Sequence, residues 1–214
     1  MASRGPYAKG VAKRAEILDT ALTVIAQNGY SGATVKQLAD AVGLSQNGLL
    51  HYFESKDNLF VEILRHHEES VAVQIDAEHA DFAVGFRERI LNALIGSLEA
   101  AGISQLMLSV SAAGSEVEHV AHDFIANRYV EFRRVAATAI RELQSRGEFP
   151  AHGDPDAAAA IIAAAFDGLQ SQWLYDHSFD VCQRMSYLLS SLGLDESESQ
   201  PAALGPFEAA ESKI

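Results

Sequence analysis

The sequence predicts an all-α fold: an N-terminal three-helix helix-turn-helix domain followed by a larger C-terminal helical domain, about nine helices in all. Three observations lead there. Alanine is abundant and β-branched runs are short, which favours helix over sheet. Apolar residues recur three and four positions apart through most of the chain. Capping side chains and glycines stand where those periodic stretches begin and end.

The elements follow in order. Residues 1–10 read as a flexible basic arm, with Gly5, Pro6 and Gly10 as breakers. From Val11 to Gln27, Ile17, Leu18, Ala21, Leu22, Val24 and Ile25 recur at helical spacing, and Asn28-Gly29 ends the helix. Thr34-x-x-Gln37 is a capping box opening a second helix, whose inward face is Val35, Leu38, Ala39 and Val42. Gly43 makes the turn, Ser45 caps a third short helix, and Ser55 caps a fourth that runs to about residue 77. Further helices are expected over Phe82–Glu99, Ser104–Ala113, from after Ser115 to Arg146, and over Phe179–Leu192. Asp154-Pro155, an N-cap followed by proline at the first helical position, opens another that ends near Tyr175. The domains are therefore placed at 11–55 and 56–193, with a disordered acidic tail over 194–214.

Composition narrows the function. The chain has 214 residues, 48% of them apolar, and a net charge of -13. That length can bury a real core. Residues 1–53 carry a local balance of +2, and the remainder carries -15. A surface that meets phosphates needs local positive charge, not a basic whole protein. The single cysteine, Cys182, excludes an intrachain disulfide framework, and its apolar neighbours Val181 and Met185 predict a packing role. With no apolar leader and no apolar stretch of about 18 residues, neither export nor a membrane span is expected, and a cytoplasmic location is.

Two capped helices joined at Gly43 form a helix-turn-helix. A short helix can sit in the major groove with its N-terminal side chains against base edges. Here those are Ser45, Gln46 and Asn47, and the two amides can pair with adenine through two hydrogen bonds. Gly48 removes bulk where DNA would approach, and Thr34, Lys36, Tyr52 and Lys56 stand within reach of phosphates. The same residues would also serve as ordinary caps and surface polars on a helical bundle.

The segment from Ala12 to Leu59 carries several linked elements: Asn28-Gly29-Tyr30, Thr34, Leu38-Ala39, Val42-Gly43-Leu44-Ser45, Gly48-Leu49, Tyr52-Phe53, and Lys56 with Leu59. Together they resemble the N-terminal domain of the TetR family of regulators. The stretch from Gly147 to Asp176 also resembles the last body helices of many members. The resemblance implies a homodimeric transcription regulator, most often a repressor, that binds a near-palindromic double-stranded DNA operator and is released by a small-molecule effector. It puts base contacts on Gln46, Asn47, Gly48 and His51, phosphate contacts on Thr34, Tyr52 and Lys56, and either kind on Lys36. Leu50 departs from the pattern, since many members carry tyrosine there and use its hydroxyl on a phosphate. Arg4, Lys9, Lys13 and Arg14 would add contacts from the arm. The larger domain would bind ligand and dimerise. Its candidate ligand-lining residues are Phe86, Leu106, Met107, Val110, Phe124, Arg128, Tyr129 and Trp173. The dimer seam falls on the last two helices, with Ala158 to Ala165 allowing close approach and Phe166, Leu169, Trp173, Leu188 and Leu189 supplying bulk.

Other classes find less support. No phosphate loop, nucleophile elbow or paired carboxylates mark an enzyme. His66-His67 point apart on a helix, and His119-x-x-His122 with Asp123 lacks a clear third ligand, so neither metal nor cofactor is expected. A helical sensor or interaction protein with a degenerate DNA-binding head is the alternative, and Leu50 is the residue that favours it.

Overall fold

The computed structural model describes residues 6–78, 83 and 85–195, with side chains described over 10–70, 83 and 85–195. Among these residues there are nine helices and no strand: α1 (Pro6–Asn28), α2 (Val35–Ala41), α3 (Gln46–Phe53), α4 (Lys56–Glu78), α5 (Phe86–Glu99), α6 (Ala101–Ala113), α7 (His122–Arg146), α8 (Pro155–Tyr175) and α9 (Val181–Ser191). Among the described residues no single helix is long and apolar enough to cross a membrane.

Local signals set most boundaries. The Thr34 hydroxyl accepts from Gln37 N while the Gln37 side chain accepts from Thr34 N, the reciprocal capping box. Ser45 accepts from Gly48 N at 3.0 Å, and Ser55 from Asn58 N at 3.0 Å. Asp154 accepts from Asp156 N and Ala157 N, so α8 begins as expected. Gly29 and Gly43 take φ of +70° and +68°, the left-handed values their turns require.

Several expectations are corrected. Residues 6–10 are helix, not arm: Pro6 opens α1, where its missing N–H costs no hydrogen bond, and Gly10 is carried inside the helix. Helix α5 begins at Phe86, four residues late, and α6 begins at Ala101 after a bend of 97°. That corner is closed by Ser104 Oγ donating to Ser97 O at 2.7 Å. Ser115 does not open α7. Its hydroxyl donates back to Ala112 O at 2.8 Å, and a chain of turns carries the backbone to His122. Leu194 is buried, and its carbonyl accepts from the Arg87 guanidinium at 2.8 Å, so it packs with the body instead of beginning a tail. The expected tail from residue 196 onward lies outside the described residues.

The core divides into two clusters, and the division does not fall at residue 55. The first joins Ile17, Ile25, Leu38, Leu49 and Phe53 of the head to Leu59, Ile63 and Leu64 of α4, to Ile103, Leu106 and Val110 of α6, and to Phe124 and Ile125 of α7. The second holds α5, the later part of α7, α8 and α9 together around Leu94, Ile140, Ile162 and Met185. Helix α6 crosses α1 at Gly102, where an added Cβ would stand 2.3 Å from Ile25 O. Only glycine allows that approach. Gly102→Ala is expected to destabilise the chain by about 1–3 kcal/mol through overpacking, measured by urea unfolding. An unchanged midpoint would mean the crossing is looser than described.

Candidate nucleic-acid interface and effector region

The reading face is built by what α3 buries. Leu49 and Phe53 are fully buried, which fixes the roll of this eight-residue helix. Residues two positions away lie about 200° round the axis, so Asn47 and His51 must face outward. They do: Ser45, Gln46, Asn47 and His51 are exposed, and Gly48 is half-exposed between them. The Gln46 and Asn47 side chains make no hydrogen bond among the described residues, and the His51 ring has an edge contact with the Tyr52 ring. Lys36 is exposed and has no ion pair among the described residues, and Thr34 is exposed beside it with its hydroxyl engaged in the cap. Lys56 is exposed at the start of α4, its ammonium 5.4 Å from the Phe60 ring centre. Tyr52 is half-buried against the first core.

Two of the basic residues expected to reach DNA from the arm lie within α1 and are otherwise engaged. Arg14 pairs with Glu62 at 2.7 Å and lies over the Phe53 ring, tying α1 to α4. Lys13 pairs with Glu16 at 2.7 Å. Arg4 and the Lys9 side chain lie outside the described residues.

The α3–α4 joint holds a feature the sequence did not signal. Glu54 takes φ 66° and ψ -44°, a conformation costly for a residue with a side chain. Ser55 N donates to Phe53 O at 2.7 Å across it, and the Asn58 side chain donates to the same carbonyl at 2.9 Å. The strain is held by these flanking contacts, and any turn of α4 bears directly on α3.

Helix α4 is gripped on both sides within one turn. Toward the head, His66 Nε2 lies 2.6 Å from Asp19 Oδ1. Toward the body, Arg128 donates to Glu68 at 2.7 Å and lies 3.7 Å from Asp167. The Tyr129 hydroxyl donates to Asp167 as well. Burial, then the bond to Asp167, pushes the Tyr129 phenol up to about 12. Burial also raises the Glu68 carboxyl above its ordinary value, outweighing Arg128.

The ligand candidates are not brought together. Leu106, Val110 and Phe124 are buried in the first core, with Met107 and Tyr129 packed on it and Arg128 in the ion network. Phe86 and Trp173 belong to the second core, and Phe86 lines an open cleft of about 930 Å³ with Arg87, Leu143, Phe149 and Leu194. Val110 borders a different cleft of about 60 Å³, beside Tyr30, Lys56, Phe60 and His119. Spacing alone could not separate residues of two cores, since both show the same helical period.

The seam candidates divide too. Phe166, Leu169, Trp173 and Leu188 are half-buried on the second core. Leu189 is fully buried with Val181 and Met185, on the stripe α9 turns toward its own body, so it cannot face a partner. Ala158, Ala159 and Ala163 are likewise buried within the body. The exposed apolar side chains here are Ile161, Tyr175 and Tyr187, none of which stands among the bulky residues expected at the seam. Cys182 is half-buried, its thiol raised by burial and by Asp180, which accords with packing. His119 Nδ1 accepts from Ala121 N, and His122 Nδ1 lies 2.9 Å from Gly114 O, so each imidazole is spent separately.

Residues 17–63 match the model of bacterial regulatory proteins of the tetR family. Residues 74–189 match that of the BetI-type transcriptional repressor C-terminal domain. The chain is 43% identical over 53 residues to the HTH-type transcriptional repressor AcnR of Corynebacterium diphtheriae, covering 25% of this chain and 28% of that one. It is 36% identical over 72 residues to the HTH-type transcriptional regulator RutR of Escherichia coli K12, covering 34% of each. These matches therefore span only about a quarter to a third of the curated relatives. Among solved structures, a transcriptional regulator from Saccharomonospora viridis in complex with choline is similar with TM-score 0.65 and 26% identity, over 84% of this chain and 94% of that one. A TetR regulator from Haloarcula marismortui shares the fold with TM-score 0.72 at 16% identity, over 86% and 97%.

One titration on α4 is predicted. Burial, then His66, lowers the His67 imidazole below its ordinary value of 6.5. The unfolded chain then takes up a proton that the folded chain declines, so this contribution to stability is lost as pH falls from 7 through the lowered value. Glu68, raised, acts in the opposite sense at lower pH. The unfolding free energy of His67→Gln should fall less than that of the native chain between pH 7 and 5.5. Parallel curves would contradict this.

Proposed function

The chain belongs to the TetR family of bacterial regulatory proteins, and from that premise we propose that it is a DNA-binding transcription repressor, released from its operator by a small molecule. The observation that carries the reading is the outer face of α3, where Gln46, Asn47 and His51 are exposed and uncommitted on a helix locked by Leu49 and Phe53. A side chain with no partner inside the protein is available to a base edge. Thr34, Lys36, Ser45, Tyr52 and Lys56 frame that face and supply the phosphate grip, with Gly48 leaving room for the duplex. An exposed, cationic-framed face of this kind is what a degenerate head would have lost.

One short helix reads few bases. Two copies related by a twofold axis would read half-sites about 34–36 Å apart. We place the seam on the outer faces of α8 and α9, with Ile161, Tyr175 and Tyr187 joining Phe166, Leu169, Trp173 and Leu188. The head then comprises residues up to 55 and the sensing body 56–194, acting in the cytoplasm where operators are. For the effector we propose a small organic molecule carrying a cationic group. The Arg128 guanidinium lies between two carboxylates, Glu68 and Asp167, and the Saccharomonospora regulator was solved with choline. A cation competing with Arg128 would loosen α4 from the body. Arg128 and Tyr129 are the effector residues in this reading; Leu106, Met107, Val110 and Phe124 pack in the core that Tyr129 joins, and Phe86 and Trp173 pack in the other.

Selection from random DNA, then fluorescence anisotropy across a salt series, tests this. Gln46→Ala should weaken specific binding about tenfold, the discrimination of one bidentate amide–adenine pair. Lys56→Ala should weaken specific and non-specific binding alike and reduce the log–log salt slope by about 0.9. A native chain that selects no sequence, or variants that bind unchanged, would refute the assignment.

A further inference from the structure

Leu50 follows directly on the buried Leu49 in α3 yet joins neither hydrophobic core. It is half-buried and lies about 100° round the helix from Leu49, at the edge of the outward face. Its backbone carbonyl accepts from Glu54 N at 2.6 Å, where α3 ends. Side chains in helices lean toward the N-terminus, so Leu50 reaches back over the preceding turn. That turn presents Gln46 and Asn47, four and three residues earlier, on the same stripe and exposed. An apolar side chain without a core therefore stands beside two amides without partners.

The chemistry of the major groove gives such an arrangement a meaning. Leucine can hydrogen-bond neither phosphate nor base edge. The one apolar group that a base pair offers in the major groove is the C5-methyl of thymine. An amide reads adenine there, and adenine's partner is thymine, so one A·T pair or two neighbouring pairs present both features. We propose that Leu50 is a specificity-determining residue that reads thymine methyl groups while Gln46 and Asn47 read adenine. This rests on the DNA-binding reading above and adds a base class to it: half-sites with A·T pairs under the N-terminal turns of α3.

The test removes the methyl groups alone. Sites selected from random DNA by the full-length chain are remade with deoxyuridine in place of thymine, one position at a time. Binding is measured by fluorescence anisotropy for the native chain, Leu50→Ala and Leu50→Met. The native chain should lose about four-fold in affinity at one or two positions of each half-site, the worth of burying one methyl group. Leu50→Ala should bind the thymine operator about that much more weakly and be indifferent to deoxyuridine, while Leu50→Met keeps the sensitivity. An unchanged melting temperature shows that the variants fold. A native chain indifferent to every deoxyuridine, or Leu50→Ala with full sensitivity, would overturn the assignment while leaving DNA binding itself intact. Failure of the native chain to select any sequence would instead remove the reading on which it rests.

Discussion

The contact on which the rest depends is the crossing of α6 against α1. Gly102 lets the α6 backbone close on Ile25, and Ile103, Leu106 and Val110 enter the same core as Ile17 and Ile25. The Tyr30 hydroxyl bonds Ser109 Oγ at 3.1 Å just beyond. The three-helix head thus lacks a closed core of its own. Its buried leucines are completed by residues that lie more than forty positions later, so the reading helix is positioned by the body as much as by its own turn.

Helix α4 is the second connection, and its chemistry differs. The links at Glu62 and His66 toward α1, and at Glu68 toward α7, are polar and partly exposed. Pairs of that kind are worth about 0.2–1 kcal/mol each. The first connection is dry and stiff, and α4 shares that core through Leu59, Ile63 and Leu64; its polar links are wet and easily rebalanced. A ligand shifts an equilibrium only by its differential affinity for the two states, and the polar links beyond the buried Leu64 are the part of α4 that needs least. The strained Glu54 joint sits where α4 passes into α3, so a rebalanced α4 meets the reading helix with no slack between them.

Local rules were legible in the sequence. Thr34, Ser45, Ser55 and Asp154 cap where they were expected to, because a capping bond spans only two or three residues. The exposed face of α3 followed from Leu49 and Phe53 by helical period alone. What the sequence could not show was non-local. Leu189 and Leu188 are equally apolar, and only the packing of α9 decides that the first is core and the second half-open. Ser115 had two possible bonds and took the backward one. The eight ligand candidates share a period but belong to two cores, and the bend before α6 that separates those cores has no signature in residue type.

The central claim, one cooperative core shared by reading head and body, is tested most directly by native-state hydrogen exchange. Amides of Leu38 and Leu49 in the head, and of Leu106 and Ile125 in the body, are compared across a denaturant series. The shared core predicts closely matched opening free energies and a common dependence on denaturant. Head amides that open several kcal/mol below those of α6 and α7 would show a separately folding head and contradict the account.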